Sequence, residues 1–205
     1  MNKIMKNSKK GCYNYIKNEK KLRVIKTAIM FAIAIAILIT GILIWDTKEN
    51  YLTIAAILLC LPAAKLAVSM IMICMYKSMD PKKYQLINQH SGTLTMCYEL
   101  ILTNYEKNTM VDAFAICGNQ VIGYSSAEKI DVKYVEKNTQ TILRNNGYGV
   151  TVKILKDFNH FIERLDSMNE HEASLRADIP FKPDERYPDL SREELIKHLI
   201  LAISL

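Results

Sequence analysis

Two long apolar runs fill much of the first third of the chain, residues 27–45 and 51–76, and only the polar stretch 46–50 separates them. The first, TAIMFAIAIAILITGILIW, holds 19 residues and no charge. As a helix it would reach about 28 Å, close to the ~30 Å hydrocarbon core of a bilayer. The second run carries Lys65 as its single charge. Trp45, Tyr51 and Tyr76 stand at the run ends, where amphipathic rings favour the headgroup level. A secretory signal peptide competes for the first run, since a basic stretch precedes it. The apolar segment is too long for that, and a second span follows at once. The pattern predicts a transmembrane hairpin over 27–76, antiparallel because the connection is short. Small residues at every fourth position predict the close-approach faces: Ala28, Ala32, Ala36 and Thr40 on one helix, Ala56, Cys60 and Ala64 on the other. Whether these faces meet each other or a second copy stays open.

From residue 80 the pattern is that of a soluble α/β (α+β) domain. Asp80 and Pro81 open a short helix, 81–89. Residues 93–103 then alternate, with Leu94, Met96, Tyr98, Leu100 and Leu102 on one face and Thr95, Cys97, Glu99 and Ile101 on the other, the period of a half-buried strand. After a polar turn at 104–108, residues 110–117 and 120–125 read as two strands joined at Gly118-Asn119. Ser125 with Glu128 predicts a capping box for a helix whose stripe is Ile130, Tyr134, Val135, Thr141 and Ile142, stopped at Gly147. Residues 149–155 form a fourth strand. Asp157 caps a helix with an apolar face of Phe158, Phe161, Ile162, Leu165 and Met168. Residues 170–190, with Pro180, Pro183 and Pro188 among charges, read as a surface linker. Ser191 and Glu194 start a last helix, with Leu195, Leu199, Ile200 and Ile203 on its apolar face. Docking onto the domain is the leading reading for that helix; binding a partner or the membrane surface is the sharper one.

Charge divides the chain the same way. Residues 1–26 carry nine Lys/Arg and one Glu, the loop 46–50 has a net −1, and residues 77–205 carry 16 basic against 18 acidic groups. The sequence pI of about 9.0 thus describes the arm, and the folded part lacks the basic excess of a nucleic-acid binder. The positive-inside rule puts the arm and residues after the second run in the cytosol. The arm is also expected to attract anionic lipid, by about 1 kcal/mol per charge near the surface. Five scattered cysteines, Cys12, Cys60, Cys74, Cys97 and Cys117, without metal-ligand spacing, suit a reducing compartment. At Cys12 a free thiol is preferred over a lipidated one.

Candidate chemistry is sparse. Lys65 lies in the cytosolic half of its run, where snorkelling explains it better than a transport path, and no acid in either span pairs with it. Pro62 beside it can mark a kink. No Walker, dinucleotide or GxSxG motif occurs, and His90, His160, His171 and His198 lack metal spacing within a helix. The element order over residues 81–170, helix, three strands, helix, strand, resembles the PD-(D/E)xK restriction-endonuclease-like fold, including its membrane-associated nuclease-related type. The resemblance implies a metal-binding Asp early in the second strand, matched by Asp112 in MVDAFAICG, with Glu99 standing in for an earlier acid. It also implies Glu-x-Lys on the third strand, where this chain reads Gly123, Tyr124 and Ser125 in QVIGYSS. Two carboxylates are too few for a catalytic oxygen cage, so the resemblance argues for the fold and against the activity.

The resulting expectation has five parts: a basic arm (1–26), a hairpin (27–45 and 51–76), a cytosolic α/β domain (77–170), a linker (171–190) and a terminal helix (191–205). The leading reading is a bacterial-type inner-membrane protein, both termini cytosolic, whose domain is a non-enzymatic binding or regulatory module. Its expected partners are the bilayer, anionic lipid at the arm and an unidentified protein; nucleic acid, a cofactor and a resident metal are not expected. A nuclease using Asp112 and Glu99 is the alternative, and a small transporter or channel subunit the third.

Overall fold

The structure, a computed structural model, describes residues 9–45, 51–103, 108–177, 179, 181 and 187–205. Outside the described residues lie Lys3 and Lys6 of the arm, the loop 46–50, most of the turn 104–108, Pro180 and Pro183 of the expected linker, and the side chain of Trp45. The chain divides into two compact units. Among the described residues, one holds residues 16–77 and the other joins Lys9–Tyr15 to Ser78–Leu205.

The first unit is made by helices α1 (Tyr15–Trp45) and α2 (Tyr51–Cys74). Both are long and apolar enough to cross a membrane. α1 starts well before the apolar run, so residues 15–26 of the basic arm are helical. Straight-chain Lys, Leu, Glu and Arg favour that, and an Arg23–Glu19 ion pair at 3.0 Å supports the turn. Arg23 also donates to Ser69 Oγ at 2.8 Å, and Lys20 Nζ to the Cys74 carbonyl at 3.2 Å. Residue numbers rise on one helix as they fall on the other, so the pair is antiparallel.

Within the helical pair the small residues that are buried differ from the expected stripes, except at Ala56. Ala28, Ala32, Ala36, Thr40, Cys60 and Ala64 are exposed; the buried small residues are Thr27, Ala34, Gly41, Ala56 and Ala63. The reason is angular. A seven-residue step returns nearly to the same side of a helix, whereas repeated four-residue steps drift about 40° each. Ile, Leu and Val side chains cover the rest, with Leu43 and Leu61 both more than 70% exposed. Lys65 is exposed on α2, which continues through Pro62.

The second unit mixes helix and sheet. In order it contains α3 (Pro81–His90), β1 (Thr95–Leu102), β2 (Thr109–Cys117), β3 (Gln120–Tyr124), α4 (Val132–Asn145), β4 (Thr151–Leu155), α5 (Phe158–Glu170), α6 (Glu172–Arg176) and α7 (Arg192–Ala202). The strands lie side by side in sequence order, antiparallel except for the parallel pair β3–β4. One sheet face packs Tyr98, Ala113, Ala115, Ile122 and Tyr124 against Ile87 of α3 and Phe161, Leu165 and Met168 of α5. The other packs Leu100, Phe114, Ile116, Val152 and Ile154 against Val135 and Leu143 of α4 and Ile196 and Ile200 of α7.

Capping follows the sequence at α3, α5 and α7: Asp80 accepts from the Lys82 amide, Asp157 from Asn159 and His160, and Ser191–Glu194 closes a full capping box. α4 differs. Its N-cap is Asp131, which accepts from Tyr134 N at 3.1 Å, because Ser125 is engaged elsewhere, donating to the Met110 carbonyl at 2.6 Å. The helix starts six residues later than the Ser125 box implied. Its buried positions are Val135, Thr139 and Leu143, while Tyr134 and Thr141 face outward. Within the expected linker, 172–176 is helical.

The clean alternation expected of β1 breaks at Glu99. Cys97 and Leu100, three residues apart, share one core cluster, and on β2 so do Val111 and Phe114. The register is the same on both sides, Tyr98↔Ala113 and Leu100↔Val111, with Glu99 and Asp112 at the intervening position. Glu99 has φ +53°, in the left-handed region that costs an L-residue about 1–2 kcal/mol. That turn of the backbone lets both strands exchange faces together.

β1 is an edge strand, and segments from both sides of the chain cover it. The Tyr98 amide donates to the Gly11 carbonyl at 2.9 Å. The Thr103 amide donates to Ile203 O at 3.0 Å, and the Leu205 amide to Ile101 O at 2.8 Å. The compact unit is therefore larger than residues 77–170: it takes in 9–15 from the arm and the terminal helix.

Glu99 is completely buried, and its carboxylate accepts from the Met79 amide at 3.0 Å and from the Ser78 hydroxyl. Glu99→Ala leaves these buried donors unmet. It should cost about 1–3 kcal/mol, measurable as a lower chemical-denaturation midpoint of the full chain in detergent. An unchanged midpoint would show that the carboxylate is not the anchor.

Candidate functional site

The two carboxylates that the sequence singles out lie on neighbouring strands. Asp112 and Glu99 occupy corresponding positions on β2 and β1, between the pairs Tyr98↔Ala113 and Leu100↔Val111, and both are buried. Each is committed to the backbone. Asp112 Oδ2 accepts from the Ser126 amide at 2.6 Å, fixing the chain as it leaves β3. Glu99 holds residues 78 and 79, where the chain enters the domain. A carboxylate that accepts such bonds is a structural acceptor first.

Positions 123–125 are filled by packing. A Cβ on Gly123 would lie 2.8 Å from Phe114 Cε1 and 3.3 Å from Ile154 Cγ1, so a larger residue has no room there. The Tyr124 ring is buried against Phe158 and Phe161, and its hydroxyl accepts from Lys83 Nζ at 2.6 Å. The Lys83 ammonium also lies over the Tyr124 and Phe158 rings, at 5.1 and 5.3 Å from their centroids. This places an ammonium group from α3 beside β3. Among the described residues no group of three or more His, Cys, Asp and Glu is arranged to hold a metal ion.

A second constellation, invisible in the sequence, surrounds Glu193 at the start of α7. Its carboxylate accepts from the Gly118 amide at 2.8 Å, from Arg176 Nε at 2.8 Å and Nη2 at 2.9 Å, and from Thr95 Oγ1 at 3.0 Å. Arg192 grips the same turn, donating to Gly118 O and Asn119 Oδ1, both at 2.6 Å. Gly118 is required there: with φ +54°, a Cβ would fall 1.9 Å from the Leu175 carbonyl oxygen. These residues line an open groove of about 480 Å³ with Ile179, Phe181 and Glu194. Its charged groups are spent on each other and on the hairpin turn. The geometry is that of a lock joining β1, the β2–β3 turn, α6 and α7.

The remaining sequence candidates are dispersed. His90 Nδ1 lies 2.6 Å from Asp166 Oδ1, linking α3 to α5; His171 contacts the Ser167 carbonyl, His198 lies beside the Tyr187 ring and His160 is exposed. Cys97 and Cys117 are buried, and burial pushes the Cys97 thiol up to about 12. It is inert at neutral pH.

Sequence reading missed Lys83, Arg176, Arg192, Glu193 and the segment 9–15. For the segment a signal existed: GCYNY at 11–15 is an uncharged, aromatic island within a lysine-rich arm. Comparison with protein-family models, with curated proteins and with solved structures finds no match.

Burial tends to raise the Glu193 pKa, but the Arg176, Gly118 and Thr95 hydrogen bonds outweigh it and hold the carboxyl below its ordinary range. A group depressed in the folded state contributes stability above its unfolded value, about 4.3 for Glu, and loses it as pH falls through the folded value. Glu193→Ala should cost about 2 kcal/mol at pH 7, because buried donors are left unmet. The gap to the native chain should narrow as pH drops below 4. A gap independent of pH in urea melts would rule out the charged lock.

Proposed function

We propose that this protein is a membrane-anchored, non-enzymatic binding or regulatory module, with its α/β domain and both termini on the cytosolic side of a bacterial-type inner membrane. One observation carries the reading: residues on either side of the helical pair, 9–15 and 78–205, fold into the same compact unit. The chain that enters α1 and the chain that leaves α2 thus start from one body, which supports a hairpin that crosses and returns. The apolar side chains exposed along α1 and α2 support burial in lipid. The excess of Lys and Arg in the arm, against −1 in the loop 46–50, supports the cytosolic assignment.

The regulatory part follows from where the polar side chains are spent. Glu99, Asp112, Glu193, Arg176 and Arg192 all hold backbone or one another. That pattern favours a domain that presents a surface over one that turns over a substrate. The alternative, a restriction-endonuclease-like nuclease, draws its support from two buried carboxylates, Glu99 and Asp112, on neighbouring strands.

Reporters fused at Asn2 and at Leu205 should both read cytosol in intact cells, and an external signal at either end would overturn the hairpin. The purified full chain with single- and double-stranded DNA and RNA plus Mn²⁺ should cleave nothing beyond a metal-free control. Cleavage that is lost in Asp112→Ala would replace this reading with the nuclease.

A further inference from the structure

The segment Lys9–Tyr15 makes more contacts than an orientation signal needs. Its first residues form a turn, with the Cys12 amide donating to Lys9 O at 3.2 Å. Gly11, at φ +80°, bridges to Tyr98 on the outer edge of β1. That φ strains any L side chain, so the bridge favours glycine, and a Cβ there would also sit 2.8 Å from Leu201 Cδ2. Lys10 Nζ donates to the Ser204 carbonyl at 3.1 Å. The Tyr13 ring stacks on Tyr84 with centroids 3.9 Å apart and planes 8° from parallel, and Tyr84 in turn meets Tyr98 edge-on at 5.1 Å. Asn14, at φ +64°, reverses the chain into Tyr15, which is buried and is also the first residue of α1.

Two properties follow. The segment has no slack, because its last anchored residue already belongs to the membrane helix. It is held by individually modest contacts, among them the Gly11–Tyr98 bridge, the Lys10 ammonium, the Tyr13–Tyr84 stack and the Tyr15 hydroxyl, which donates to the Leu205 carbonyl at 3.5 Å. Contacts of this kind contribute about 0.5–1.5 kcal/mol each, so local release lies far below global unfolding. Release would uncover the Tyr98 amide and the Tyr84–Tyr98 aromatic surface on an edge strand.

We propose that residues 9–15 are a strap through which the first helix controls the β1 edge. A change in the tilt or depth of α1 pulls the strap off Tyr98 or seats it. Bilayer thickness is the natural input, because a helix of fixed apolar length answers mismatch by tilting. The proposal rests on the membrane reading above.

The test is amide hydrogen exchange on the full chain in phosphatidylcholine vesicles of short (14-carbon) and long (22-carbon) monounsaturated acyl chains. Exchange at the Tyr98 amide should differ at least tenfold between the two bilayers, while the Phe114 amide in β2 stays constant. Gly11→Val should exchange quickly at Tyr98 in both. Tyr13→Ala, which removes the stack without adding bulk, should shift Tyr98 the same way if Gly11→Val fails to fold. Equal Tyr98 protection in both bilayers overturns the strap, as does a change that spreads over the whole sheet. Flotation separates the two claims: a chain that does not float with either vesicle defeats the membrane reading and the coupling with it, whereas a floating chain with constant Tyr98 exchange defeats the coupling alone.

Discussion

Backbone pairing along the outer edge of β1 is the constraint on which the domain depends. An edge strand presents amide and carbonyl groups that must find partners or water, and an open edge invites pairing with another chain. Here the edge is closed from two directions. Gly11 takes the Tyr98 amide, and residues 203–205 take Thr103 and Ile101. Closing the second half brings α7 over the sheet, where Ile196 and Ile200 complete the core and Glu193 reaches the Gly118 turn. The first half is closed by residues that directly precede α1 in the chain. The helical pair is, in chain order, a long excursion from within one domain.

The exchange of faces at Glu99 and Asp112 serves the same end. With strict alternation, Leu100 and Leu102 would join Tyr98 against α3 and α5, and Val111 would sit with Ala113. The left-handed turn at Glu99 moves them to the α4 and α7 side, where the terminal helix needs an apolar floor. The conformational cost of roughly 1–2 kcal/mol is offset by the buried carboxylate bonds to residues 78 and 79. A residue in that region often marks function; here the observed partners mark an anchor.

Strand and helix positions were legible because each rests on local pattern. The Gly118-Asn119 hairpin, the Asp80 and Asp157 caps and the Ser191–Glu194 box all need only neighbours in sequence. What stayed hidden depends on distant residues. The β1 alternation read cleanly through Glu99, since Leu, Met and Tyr at every second position say nothing about a reversal that the opposing strand must share. The Ser125 box was a sound local signal that lost to a long-range bond from Ser125 to Met110 O. On the helices, the stripe of small residues at every fourth position was present but drifts around the axis, and burial follows the seven-residue spacing. The lock at Glu193 joins residues 95, 118, 176 and 193, a set that no spacing rule connects. Of the candidate site, Glu99 and Asp112 were legible as acidic residues on neighbouring strands, and their backbone partners at 78, 79 and 126 depend on distant folding.

The central claim is that the arm segment is a structural part of the α/β domain. It is tested most directly by equilibrium urea unfolding of two soluble chains: residues 78–205 alone, and residues 9–15 joined to 78–205 through a flexible glycine-serine linker in place of 16–77. Restoring the Gly11–Tyr98 bond, the Tyr13–Tyr84 stack and the Lys10 contact should stabilise the joined chain by about 2 kcal/mol, with the difference abolished by Gly11→Val. Coincident unfolding curves for the two chains would contradict the account.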